Sequence, residues 1–320
     1  MSKSFRRTTL IAVLLFCTVP LFGAGGRVTW LKESTIIGRG SWLLAVHGVA
    51  PLPEGGLVVS DKLDYRAKKF SASGKQSAAV GGRGRGPGQF QGPGPIDVHG
   101  DRIAIADFAS SRIQYFTLAF GHLETFRAPG AVSDLCFDGS GRLWVIAVTL
   151  DAQRGLFQFD KQGRLTKTLG LHNGTGDLFA DVGFIAWVGN GLIAVSYFVQ
   201  NKIELWDTCG SFLREFSVPG LPMKSPTRKL LGGDSRFSLS VPEGNIFRSM
   251  TSDGKGHVYL LVDDYGEAPG RELIQLSTAG QVQRRLMVTQ RLVQVRAIHS
   301  GGFLAVPMER NEILRLTEMR

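Results

Sequence analysis

The chain has 320 residues, 43% of them hydrophobic and 20% charged, enough apolar content for a large core and too much for general disorder. Its 41 Gly and 13 Pro carry no G-X-Y period, which excludes collagen, and three Cys exclude a disulfide-stapled scaffold. The formal net charge of +10 suits anionic polymers or lipid headgroups as partners, or a merely cationic soluble surface.

Met1–Thr9 contains Lys3, Arg6 and Arg7 and no acid, Leu10–Ala24 is almost wholly apolar, and Ala24-Gly25-Gly26 offers small residues. This is the pattern of a secretory signal over residues 1–24 with cleavage near 24–26. The apolar run is broken by Pro20 and falls short of the ~20 residues that span a bilayer, so a retained anchor is the weaker alternative. A lipoprotein is disfavoured because bulky Phe16 precedes Cys17. No later stretch reaches transmembrane length. The expected product is a secreted or periplasmic monomer, with residues 27–320 as a single domain.

A repeat follows. Val59-Ser60-Asp61-Lys62-Leu63-Asp64-Tyr65-Arg66 and Ile105-Ala106-Asp107-Phe108-Ala109-Ser110-Ser111-Arg112 share one register, apolar-x-Asp-x4-Arg, each with an aromatic four residues after the Arg. Val195–Trp206 keeps the spacing with Tyr197 for the Asp and Lys202 for the Arg, Ala305–Leu316 keeps it and loses the charges, and two further units run from Leu143 and Val258 with longer loops. The units start at Leu57, Ile103, Leu143, Ile193, Val258 and Phe303. Each alternates apolar and polar residues with period two and ends in a Gly-containing turn such as Ser73-Gly74 or Gln162-Gly163, the signature of antiparallel strands. Short strands repeating about every 40–50 residues predict an all-β fold, a six-bladed β-propeller of four-stranded antiparallel blades. The last unit is one strand short, and Arg27–Ile37 is a surplus strand, so the N-terminal strand is expected to complete the last blade and close the ring. An unpaired edge would otherwise remain.

The segment Gly82-Arg83-Gly84-Arg85-Gly86-Pro87-Gly88-Gln89-Phe90, followed by Pro93, Ile96, Val98, Ala106-Asp107 and Arg112-Ile113-Gln114, resembles the NHL repeat. The likeness is close over Gly82–Phe116, clear over Leu57–Phe70 and only a pattern elsewhere. It implies a divergent NHL-like propeller in which Asp61, Arg66, Asp107 and Arg112 are structural ion pairs. Independently of the family, an Asp and an Arg flanking one loop can tie its base through a bidentate pair.

Signals for chemistry are few. The Gly-rich run contains neither a P-loop nor a G-x-G-x-x-G pattern and precedes no helix. The six His form no local zinc spacing, and His99 and His299 fall in turns on the side away from the loops, where surface His is the ordinary reading. Asp97 and Asp134, in innermost strands, could face the central channel and hold water or a cation. No cofactor is predicted, with calcium or zinc in that channel left open. No G-x-S-x-G elbow exists, and Cys136 and Cys209 belong to different blades. Asn173-Gly174-Thr175 fits a glycosylation triplet.

The loops carry more. One face of the ring should collect the second-to-third-strand loops and the inter-blade crossings, bringing together Tyr65, Arg83, Arg85, Phe108, Tyr197, Phe198, Asp264, Tyr265 and Arg310, the aromatic and charged mixture of recognition surfaces. The long crossings Gly170–Gly183 and Val218–Asn245 are either functional or locally disordered. Three functions are weighed: an exported non-catalytic propeller binding a ligand or protein through the loop face; a metal-dependent lyase or lactonase, as in other six-bladed propellers; and RNA binding, which the leader opposes. The first is preferred, the partner being a protein or a small or anionic ligand.

Overall fold

Strand burial explains the architecture. The second strands Leu57–Asp61 and Arg102–Asp107 are buried along almost their whole length, whereas the fourth strands Gln76–Gly81 and His122–Arg127 are open to water. A sheet covered on both faces reads as continuously apolar in its middle and turns polar only at its rim. The computed structural model describes residues 26–38, 43–149, 154–170, 182–225, 227–231, 238–265, 268–309 and 311–319. The leader predicted over 1–24 lies outside them.

Six blades form a ring. Blade 1 comprises Val46–Pro51, Leu57–Asp61, Arg66–Phe70 and Gln76–Gly81, blade 2 Pro93–His99, Arg102–Asp107, Arg112–Thr117 and His122–Arg127. Blade 3 is Gly130–Phe137, Leu143–Thr149, Arg154–Phe159 and Leu165–Gly170, and blade 4 Gly183–Gly189, Leu192–Tyr197, Ile203–Asp207 and Phe212–Phe216. Blade 5 is Phe247–Ser252, His257–Val262, Glu272–Ser277 and Val282–Met287. Leu292–Ala297, Phe303–Pro307 and Ile313–Glu318 make blade 6, whose outer strand is Arg27–Ile37. Each innermost strand touches the next around the circle, and that of blade 6 touches that of blade 1.

The core is divided accordingly. The described residues form six apolar clusters, one in each gap between neighbouring blades; Phe90, Ile96 and Phe116 meet Ala50 and Val58, for example, between blades 1 and 2. The closing strand serves two gaps. Leu31 packs between blades 5 and 6, and Ile37 between blades 6 and 1. Residues six apart on a regular strand share a face, but the register shifts between Thr35 and Ile37, and such a bulge turns the later side chain to the other face. Arg27–Trp30 also pairs in parallel with Arg284–Met287 of blade 5, so one strand fastens two blades. Glu33 adds the backbone N–H and hydroxyl of Thr289 and the side chain of Gln290.

The crossing from blade 4 to blade 5 carries a two-stranded hairpin, Thr227–Leu231 with Ser238–Pro242, in place of the plain loop the sequence suggested. Most of the crossing after Gly170 lies outside the described residues.

Candidate functional site

One face of the ring gathers the second-to-third-strand loops and the inter-blade crossings, and buried aspartates anchor it. Asp107 accepts Gln91 N–H at 3.0 Å and Gly92 N–H at 2.8 Å from the crossing, and takes Arg112 Nη2 at 3.1 Å. Arg112 also donates to the carbonyls of Gln89 at 2.7 Å and of Arg85, so one guanidinium clamps the Gly-rich segment. Asp61 accepts Leu44 N–H at 2.8 Å and Ala45 N–H at 2.9 Å, but its cation is buried Lys68 at 2.8 Å; Arg66 is exposed and stands 3.6 Å from Asp64. Burial works against the Asp61 charge, and hydrogen bonds from Lys68, Leu44 and Ala45 outweigh it, holding its carboxyl below the ordinary range. In blade 5 the buried Asp263, one place beyond the position of Asp61 and Asp107, plays a related part, receiving Asn245 Nδ2 at 3.1 Å and the guanidinium of Arg248 from the innermost strand. Sequence reading placed Asp263 on the loops without this role; its position directly after a second strand was the available signal.

Around the first two anchors several large apolar side chains stand exposed. Arg83 stacks over Tyr65 at 5.6 Å, and Lys62 over Phe108 at 5.9 Å, the latter joining blade 1 to blade 2. Phe108 is 45% exposed, Leu44 53% and Leu63 61%. Tyr65 adopts φ 57°, and Ser111 at the matching place in blade 2 adopts φ 49°. A bulky residue there is a rare conformation and is held by its surroundings. Arg85 is exposed beside them.

The other loop candidates do not join this patch. Tyr197 is fully buried and donates to Glu204 at 2.8 Å; Phe198 meets Phe184 edge-on at 4.5 Å. Tyr265 packs against the apolar cluster between blades 4 and 5, its hydroxyl 3.0 Å from that of Ser225. Asp264 accepts Asn245 N–H at 2.9 Å. Arg310, Leu150–Gln153 and Gly266-Glu267 lie outside the described residues.

At the axis, Arg296 of blade 6 reaches Asp134 of blade 3, Nη2 to Oδ1 at 2.9 Å, with both side chains almost wholly buried. Asp134 further accepts the N–H of Leu135 at 2.9 Å and that of Ile185 in blade 4 at 3.2 Å. Asp97 accepts Phe137 N–H of blade 3 at 2.8 Å. Ser249 and Thr251 do the same for Val295 and Ala297 at 3.2 and 3.0 Å. Side chains thus satisfy backbone donors where innermost strands diverge too far to pair. Burial opposes the Arg296 charge, and Asp134 and Asp97 overcome it, holding its pKa above the usual value. Burial raises Asp97 above the ordinary carboxylate range despite Arg296, and it pushes the Cys136 thiol well up, leaving a poor nucleophile.

Calcium or zinc was the open option here. Among the described residues no three His, Cys, Asp or Glu side chains converge as a ligand set, and a guanidinium already occupies Oδ1 of Asp134. This donor set does not fit either ion. Sequence reading missed Arg296, although its place in an innermost strand, like those of Asp97 and Asp134, was the available signal.

No helix among the described residues is long and apolar enough to cross a membrane. No family model matches the chain, and no curated protein matches it. Solved structures similar to it include virginiamycin B lyase from Staphylococcus aureus, 11% identical with TM-score 0.58 over 90% of this chain and 99% of that one. A gluconolactonase from Xanthomonas campestris is 12% identical with TM-score 0.61 over 90% of each chain. U3-55K is 15% identical with TM-score 0.62 over 89% of this chain and 98% of that one. At such identities the likeness is one of fold, shared by enzymes and by a WD40 protein alike: the chain is a six-bladed β-propeller.

Proposed function

We propose that this is an exported, NHL-like propeller that binds a protein partner through the loop face of blades 1 and 2 and catalyses nothing itself. The observation that carries the reading is the pair of cation–aromatic stacks, Arg83 on Tyr65 and Lys62 on Phe108, set among exposed Leu44, Leu63 and Phe108. Aromatic and cationic anchors inside an apolar patch are the residues that concentrate binding energy. The Gly-rich crossing clamped by Arg112 supports the NHL-like assignment, and the basic, apolar leader supports export. The axial acids support a binding role too: Asp134 has its oxygens engaged, and Asp97 holds a neighbouring blade.

Mixed anchors of this kind suit a partner segment with apolar and acidic side chains. A photo-crosslinking residue at position 108, in the protein expressed with its leader, is expected to give one discrete adduct. The same residue at position 213, on the outer rim of blade 4, should give none. Loss of the adduct in R83A would tie it to the stack; equal labelling at both positions, or none at position 108, overturns the reading.

A further inference from the structure

The end of the channel opposite the loop face opens into a cavity of about 500 Å3, a size that suits a small organic ligand. Asp97, Cys136, Thr251 and Arg296 line its depth, and Trp187, His99 and His299 its mouth. The indole is seated by two glycines in the first turns of flanking blades. A Cβ on Gly139 of blade 3 would stand 2.6 Å from Trp187 Cζ2, and one on Gly254 of blade 5 would stand 3.1 Å from Cζ3. The ring therefore has its berth only because both positions lack a side chain.

Charge selects the ligand. Two carboxylates and one guanidinium meet here, and Asp134 is saturated by Arg296, Ile185 N–H and Leu135 N–H. Asp97 receives the Phe137 N–H on Oδ2 and lines the cavity; ionised, it leaves the two carboxylates and one guanidinium one positive charge short of neutrality. An anionic ligand would meet that charge, and the guanidinium is turned to Asp134 through Nη2; among the described residues no three His, Cys, Asp or Glu side chains offer a metal ligand set. The remaining wall includes Leu52, Phe137 and Ile298.

We propose that this cavity binds a small organic amine, its ammonium on the Asp97 carboxylate and its apolar body against Trp187 and Phe137. The ammonium completes the charge balance at the axis, and desolvated aromatic rings favour a cation further. The site lies on the face opposite the proposed protein-binding patch, so neither depends on the other.

The test uses the mature protein and three ligands of one shape: phenethylamine, its neutral counterpart 2-phenylethanol and anionic phenylacetate, followed by calorimetry and thermal shift. The amine is expected to bind and to raise the melting temperature, with the alcohol and acid at least about tenfold weaker. D97N keeps an oxygen for Phe137 N–H and is expected to weaken the amine at least about tenfold. Comparison of amine and alcohol on the unmodified protein decides the matter even if D97N folds poorly. Equal binding of amine and alcohol, no amine binding at millimolar concentration, or undiminished binding by a folded D97N overturns the proposal.

Discussion

Arg296 and Asp134 meet 2.9 Å apart across the propeller axis, from innermost strands of blades that stand opposite each other in the ring. A diametral contact of this kind is possible only when all six blades are in place. Removing Arg296 strands Asp134 in a buried site, and breaking such a pair costs about 3–5 kcal/mol. R296M is expected to lose that much in urea unfolding, and the double variant D134N/R296M to recover a large part of it. Equal losses in single and double variants would show that the charges are not coupled.

The pH response of Asp97 has a definite sign. Its folded pKa lies above the ordinary value because burial outweighs the help from Arg296, so the folded state holds this proton more tightly than the unfolded state. The resulting stabilisation is full below the unfolded pKa and disappears as pH rises through the folded one. D97N removes this titration. Its stability relative to the unmodified protein should therefore increase with pH across that window, measured as the difference between urea midpoints; a flat difference refutes the assignment.

The closing strand is the ring's fastener. L31A removes a buried side chain from the gap between blades 5 and 6, and truncations of this type cost about 2–5 kcal/mol. Deleting Arg27–Ile37 leaves Ile313–Glu318 as an open edge, which invites pairing between molecules. Size-exclusion chromatography should show higher oligomers for the deletion and a destabilised single species for L31A.

Arg112 clamps the Gly-rich crossing through its planar fork, and lysine cannot reproduce several divergent hydrogen bonds from one point charge. R112K is expected to cost about 1–2 kcal/mol and to speed hydrogen exchange at the amides of Gly84–Gln89. Exchange should stay unchanged in blade 5, where Asp263 has its own Arg248.

Blade 1 and blade 2 show how far local sequence reaches. Both carry Asp-x4-Arg, yet Asp107 takes Arg112 while Asp61 takes Lys68. The residue seven places after the Asp decides: Lys68 in blade 1 is a buried cation, whereas Gln114 in blade 2 is neutral and is spent on Gly88 N–H and the carbonyl of Gln89. Both residues were in plain view, but only packing shows which cation is desolvated beside the carboxylate. Loop candidates divide in the same way. Tyr65 with Arg83, and Phe108 with Lys62, stand at the surface, while Tyr197, in the register of Asp61 and Asp107, is held in the core by Glu204.

What the amino-acid order determined alone was the architecture: period-two alternation, glycine turns, six units and a surplus first strand that completes the sixth. These signals are local, since strand and turn preferences act over a few residues. The tertiary structure decided the axis and the cavity, where Arg296 finds Asp134, and where Trp187 fits between Gly139 and Gly254. Those partners lie in different blades and meet only through ring closure, so their charge balance and the space between them belong to the assembled circle.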